Sequence, residues 1–465
     1  MWELVVAMTG RRPVGAVDNI WLNADRPHNL MVIDAIMWFD EVVDWERFTR
    51  VVQSRIVDRF PVFHQRLAEG LDALGLRHWE DDPDFSVGNH LTRAALPEPG
   101  DEAALKVYVE GVMRTPLDRS RPLWQLHLVE GFGAGSAIVA RFHHALADGI
   151  ALAEVMLSLT DASPDEPDPD ELVARRVPPS PGWRPSLPGW GTAQRLVSDV
   201  AGAASSLRPS AVTDALLLTR QTAHIADKLI LGSNPETPLT GVPGLEKRAV
   251  WSSPRAVSEV KGIARLAGAT VNDVLVGAVS GALSAYVVDH GGDADDLTTM
   301  VPVNVRPVGE PLPRELGNQF ALVLLPLPLG TRAPMARLVE TKQRMDSIKH
   351  SPEAFITFGL INAIGRTHPR VEELLVNFFS SKAIGVTTNV IGPMTDRFVA
   401  GSPIAGVLGW VPGSGRQTVG VCIFSYNGTV RVGFKVDAGI VPDPERLVDS
   451  FDQELDDLAR MARAV

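Results

Sequence analysis

The chain has 465 residues, 45% of them hydrophobic and 22% charged, which is ordinary for a globular protein and more chain than one compact core takes, so two domains are expected. A net charge of −12 argues against a general nucleic-acid binder, while leaving room for a local basic patch that holds an anionic small molecule. The single cysteine, Cys422, rules out a disulfide framework and a four-cysteine zinc site, and it fits a reducing setting.

The first segment, MWELVVAMTGRRP, carries a short apolar run from Leu4 to Met8 without the leading positive charge or the length of a secretory signal. Asn29–Asp40 predicts a strand. Asp44–Phe60 has apolar residues at helical spacing, with Asp44 placed to cap the helix. Asp101–Asp118 predicts a second helix, and Leu123–Phe142 a hairpin by its turn glycines. Eight prolines between Pro164 and Pro188 mark a linker or extended wrap, because proline fixes φ and removes a donor. Gly191–Leu231 is helix-like, rich in Ala and Leu and broken at Pro209, and the loop Gly232–Gly244 closes this connector.

Beyond it, Ser253–Gly268 and Thr270–Gly291 predict helices, with Thr270 as the cap of the second. Thr298–Pro307, Gln319–Gly330 and Ala383–Pro393 are strand-like. Gln417–Ile440 is a hairpin with Asn427–Gly428 at its turn, and an acidic amphipathic helix starts near Asp443. No stretch reaches the roughly 18 uninterrupted apolar residues of a spanning helix. Phe320–Leu329 comes nearest but carries two prolines and predicts a buried strand, so membrane contact would be peripheral. The expected division is an N-terminal domain, 1–161, a Pro-rich linker and helical connector, 162–244, and a C-terminal domain, 245–465. Both domains share a coarse order of helices and strands that suits a duplication.

Between the hairpin and the linker stands RFHHALADGI, Arg141–Ile150. The strand Ser136–Phe142 delivers His143 and His144 to its end, and the apolar run after Gly149 opens a helix. The pair therefore sits on a strand-to-helix turn, where a rigid scaffold presents side chains to a cleft. Three roles fit. Both rings could be satisfied core histidines. They could bind metal with Asp148, although no third-ligand motif stands elsewhere in the sequence. Or one could be a general base, since an unperturbed histidine near pKa ~6.5 takes and returns a proton within one cycle. Neighbouring strand residues point to opposite sides, so the two rings need not share a task.

The motif HHALADG (His143–Gly149) resembles the HHxxxDG signature of CoA-dependent acyltransferases and condensation domains. With RPLW (Arg121–Trp124) upstream, TVNDVL (Thr270–Leu275), VPVNVRP and LGNQF, and TNVIGP (Thr388–Pro393), the chain resembles the bacterial wax ester synthase/diacylglycerol acyltransferase family over nearly its whole length. Departures are TNVIGP, where members more often carry SNVPGP, and the leading Met1–Arg11 segment.

The resemblance implies an α/β fold of two chloramphenicol-acetyltransferase-like domains, each a mixed sheet flanked by helices, with the site on a channel between them. It implies acyl transfer from acyl-CoA to the hydroxyl of a diacylglycerol or long-chain alcohol, with acyl-CoA as co-substrate and no bound cofactor or metal. His144 is then the base and His143 supports it, and no covalent intermediate is needed. Asp148 is structural, pairing with an arginine, and Gly149 permits a tight turn. Asn272 and Asp273 shape the site from the second domain, and Asn272 is a possible oxyanion donor. Pro122, Leu123 and Trp124 pack, and Asn304, Arg306 and Asn318 are structural. Cys422, in an apolar strand, is not a nucleophile, and the lack of G-x-S-x-G argues against a serine hydrolase. The expected location is cytoplasmic, peripheral to the inner membrane face or to lipid droplets, with Asp214–Leu231 as the candidate contact. Two rivals stay open: an acyltransferase that uses a carrier-protein thioester or acylates a polyketide-type alcohol, and a non-catalytic lipid-binding relative.

Overall fold

The computed structural model describes residues 11–68, 77–166, 234–293, 295–306, 311–349, 353–365, 376–378 and 380–463. The leading segment, most of the proline-rich linker and the connector with its candidate membrane contact lie outside the described residues. In chain order the first part carries β1 (Arg11–Pro13), α1 (Ala16–Ala24), β2 (Val32–Phe39), α2 (Trp45–Val52), β3 (Gln65–Leu67), β4 (His78–Asp81), β5 (Leu91–Ala95), α3 (Glu102–Met113), β6 (Trp124–Phe132), β7 (Gly135–His143) and α4 (Gly149–Ser158). The later part carries β8 (Lys247–Trp251), β9 (Arg255–Ala256), α5 (Val257–Leu266), α6 (Val271–Asp289), β10 (Leu297–Asn304), β11 (Phe320–Leu327), α7 (Pro334–Lys349) and α8 (Glu353–Ile364). It ends with β12 (Thr387–Ile391), β13 (Phe398–Val399), β14 (Ser402–Trp410), β15 (Val419–Tyr426), β16 (Thr429–Asp437) and α9 (Glu445–Arg463).

Local chemistry sets several of these limits. Asp44 caps α2 by accepting from the Arg47 N–H at 2.6 Å. That helix was expected to run to Phe60; it ends at Val52 and loosens into a π turn over Gln53–Val57. The third helix stops at Met113, short of the expected Asp118, because Pro116 cannot continue it. Thr270 and Asp273 form a reciprocal capping box at the start of α6. The β15–β16 hairpin turns on Asn427 and Gly428, both at positive φ (46° and 76°), as a two-residue turn matched to strand twist requires.

The six-stranded sheet runs β13-β14-β2-β7-β6-β5. Every residue of β7 is buried, Arg141 and His143 included, so the strand shows no in–out alternation. A second sheet runs β12-β15-β16-β8, with β12 parallel to β15. The strands β13 and β14 come from the late part of the chain yet complete the early sheet, with Trp410 opposite Asp34. The first hydrophobic core accordingly holds Ile404, Leu408 and Trp410 together with Phe48, Trp124 and Phe142. The second core is built around α6 and α9. Among the described residues, α6 alone is long and apolar enough to span a membrane, and most of it is buried in that second core.

Candidate active site

The hydrogen bond from His144 N to the Met31 carbonyl (2.7 Å) continues the β2–β7 pairing past the last strand residue. The chain then turns, and Asp148 caps α4 through the Ala151 N–H at 3.0 Å. The two rings diverge. His143 is buried; its Nδ1 accepts from the Ala145 N–H at 3.1 Å, so Nε2 carries the proton and faces Asp25 Oδ2 at 3.6 Å. Burial holds the His143 pKa below the usual value. Burial alone would raise Asp25, but His143, the Met31 N–H and Arg119 together hold it below the usual carboxylate range.

The His144 ring stacks on Trp21, centroids 4.5 Å apart and planes at 27°, with Phe320 at 5.8 Å. Burial pushes its pKa down to about 4, against the opposing pull of its own backbone carbonyl and of Asp148. Nδ1 is buried and makes no hydrogen bond, while the Asn318 side chain joins the backbone carbonyl in opposing the effect of burial. The ring is therefore neutral near pH 7 and able to take a proton. Trp21 also lines an open apolar cleft, shared with Ile20 on α1, Leu322 and Leu324 on β11, and Ile361 and Ile364 on α8.

Asp148 is held on both oxygens. Oδ1 accepts from Ala151 N and, at 2.9 Å, from Arg306 Nη1; Oδ2 accepts from Arg306 Nη2 at 2.6 Å and from Gln319 N at 3.0 Å. Arg306 is thus the arginine partner expected for Asp148. The tight turn expected at Gly149 is corrected: it is the first residue of α4, does not have positive φ, and an added Cβ would touch only Ile33 Cδ1 at 3.9 Å. Pro122, Leu123 and Trp124 are buried; Leu123 O accepts from His143 N at 3.0 Å, and Trp124 Nε1 donates to Phe63 O at 2.8 Å.

Asp273 serves the capping box, and Asn272 Oδ1 accepts from Asn389 Nδ2 of TNVIGP at 2.7 Å. Among the described residues no hydrogen bond or ring contact links either to His144. Asn304 receives the Arg306 N–H in a local turn. Cys422 is buried, which pushes its thiol up to about 12.

Sequence reasoning missed Asp18, Trp21, Asp25, Asp34 and Arg141. Asp18 and Trp21 lie three apart on α1, hence on one face. Arg141 Nε meets Asp34 Oδ1 at 3.2 Å, both fully buried, and Lys435 of β16 reaches Asp34 Oδ2 at 3.0 Å. Asp34 and Arg141 are charges inside apolar strands, and that was the available signal for them.

Residues 14–275 match the family model of the wax ester synthase/diacylglycerol acyltransferase catalytic domain, more than half of the chain. The chain belongs to the wax ester synthase/diacylglycerol acyltransferase family. The C-terminal domain model of the same family matches residues 316–459. A Mycobacterium tuberculosis protein named, provisionally, a diacylglycerol O-acyltransferase is 28% identical over 446 residues, 90% of each chain. A second protein of that organism, with the same provisional activity in its name, is 25% identical over 410 residues, covering 86% of this chain and 85% of its own. The solved wax ester synthase/diacylglycerol acyltransferase of Marinobacter aquaeolei VT8 aligns at TM-score 0.68 and 20% identity, covering 97% of this chain and 99% of that one. The first condensation domain of the calcium-dependent antibiotic synthetase aligns at TM-score 0.62 and 16% identity, over 97% and 96% of the two chains. These neighbours establish the two-domain α/β architecture related to chloramphenicol acetyltransferase. Membership of the family makes this chain an O-acyltransferase. Arg306, Asn318 and Gln319 all lie beyond the catalytic-domain match, so the late part of this acyltransferase braces the histidine turn of the early part.

Proposed function

We propose that the enzyme transfers a long-chain acyl group from acyl-CoA to the hydroxyl of a diacylglycerol or long-chain alcohol, with His144 as general base. The observation that carries this is the neutral His144 ring stacked on Trp21, the residue that also lines the apolar cleft. An alcohol is a weak nucleophile, so Nε2 takes its proton as the oxygen attacks the thioester carbonyl. The C–O bond forms, the C–S bond breaks, and the departing thiolate takes the proton back from His144. A ring with a pKa near 4 holds a proton poorly, which favours that return. No covalent enzyme intermediate and no bound cofactor is needed. A lipid acceptor requires a visit to an interface, and the net charge of −12 favours an apolar hold over attraction to anionic lipid. The test is purified protein with labelled palmitoyl-CoA and, in separate arms, dioleoylglycerol, hexadecanol and water. Triacylglycerol or wax ester in excess of free palmitate supports the reading. Free palmitate alone, or transfer only from a palmitoyl carrier protein, overturns it.

A further inference from the structure

Helix α1 crosses the site with Asp18 in its first turn and Trp21 one turn on. Asp18 Oδ1 accepts twice from Asn318: from its backbone N–H at 2.9 Å and from Nδ2 at 2.8 Å. The same Nδ2 donates to the His144 carbonyl at 2.7 Å. The amide thus spends one proton on a carboxylate and the other on the backbone of the base, and the carboxylate fixes which way it faces. That carbonyl and the Asn318 side chain both act on the His144 ring, each favouring its protonated form. Space around Asp18 is closed by glycine, since a Cβ on Gly15 would lie 2.6 Å from Oδ2.

Asp18 is 5% exposed and, among the described residues, has no arginine, lysine or histidine within ion-pair distance. A buried carboxylate without an ion pair is costly, and an asparagine would accept the same two bonds without that cost.

We infer that Asp18 and Asn318 are positioning residues for His144: the carboxylate orients the amide, and the amide fixes the His144 backbone from which the ring is presented. This rests on the reading of His144 as the base. A pH signature follows. Burial raises Asp18 to about 6, with the two Asn318 bonds and then Arg12 on β1 opposing and Asp148 reinforcing; Glu315 faces Arg12, and Arg306 faces Asp148. Protonating Asp18 weakens its hold on the amide, so turnover gains an acid limb near 6, above the limb near 4 set by His144 itself.

The experiment measures kcat and KM from pH 4.5 to 8.5, with palmitoyl-CoA and dioleoylglycerol, for wild type, Asn318→Ala, Asp18→Ala, Asp18→Asn and His144→Ala. Asn318→Ala should lower kcat by about 10- to 100-fold, the scale of a misplaced catalytic group, with both KM values within about twofold. Asp18→Asn should retain more kcat at pH 8 than Asp18→Ala and lose the limb near 6. Wild-type kcat in Asn318→Ala, or a limb near 6 that persists in Asp18→Asn, overturns the inference. If Asn318→Ala fails to fold, the pH profile of the near-isosteric Asp18→Asn decides alone. His144→Ala separates the two readings. If it matches wild type, the base assignment falls and the relay with it; if it is inactive while Asn318→Ala matches wild type, the relay alone falls.

Discussion

Replacing Asp148 by asparagine should damage the fold at least as much as the chemistry. The change is nearly isosteric, yet it removes the charge opposite Arg306 and sets an amide N–H₂ where an oxygen now accepts. Both partners are largely buried, with side-chain exposures of 13% for Arg306 and 6% for Asp148, so solvent screens little of the loss. Breaking one side of a buried pair costs about 3–5 kcal/mol, because the other charge is left uncompensated. Against a typical domain stability of about 5–15 kcal/mol that is a large fraction. It corresponds to a fall in melting temperature on the order of 10 °C for a cooperative unit of domain size. Thermal melts should be read beside turnover at 15 °C, where the variant is still folded. Pairing Asp148→Asn with Arg306→Met should recover part of the lost stability, since the stranded guanidinium is gone, and the double-mutant cycle measures the coupling. A single variant with an unchanged melting temperature and abolished turnover would refute this reasoning and assign Asp148 to catalysis.

Gly149→Ala should leave the melting temperature unchanged or raise it, by up to ~1 kcal/mol of stability, because the position is an ordinary first helical residue with room for a Cβ; a fall of several degrees would restore a conformational role for the glycine. Acid stability should depend on Asp18. His144 and His127, both lowered to about 4, unfold more easily as pH falls from 6.5 toward 4, whereas Asp18, raised to about 6, binds its proton better when folded and so opposes that trend. Asp18→Asn should therefore steepen the loss of unfolding free energy between about pH 6 and 4.5 by about 1.4 kcal/mol per pH unit, one proton's worth, and an unchanged slope in urea titrations counts against the shift. Sedimentation with neutral phosphatidylcholine vesicles should be as strong in 1 M salt as in 0.1 M salt; release by salt would show an electrostatic hold instead.

Much of the scaffold was legible in the chain because short-range rules decide it. Asp44, Thr270 and the Asn427–Gly428 pair each announce an end or a turn through their own backbone chemistry. The strand-to-helix turn at His143–Gly149 followed from an apolar run ending at polar residues. What stayed hidden depends on partners far away in sequence. Nothing local says that Trp21 stacks on a ring 123 positions later, that Asn318 reaches across to the His144 carbonyl, or that β14 joins the first sheet. Asp34 and Arg141 stand out as charges in apolar strands, but their pairing needs the strand register that only the sheet supplies. Gly149 was misread for the opposite reason: a glycine beside a turn suggests special φ, and here the backbone is ordinary.

The most direct test of the account is the turnover of His144→Ala against wild type, with labelled palmitoyl-CoA and dioleoylglycerol or hexadecanol, and with the melting temperature of both proteins recorded. The account predicts a fall of about 100- to 10,000-fold in turnover, the usual contribution of one positioned base, in a protein that still melts cooperatively. A folded His144→Ala protein that esterifies either acceptor at the wild-type rate would contradict it.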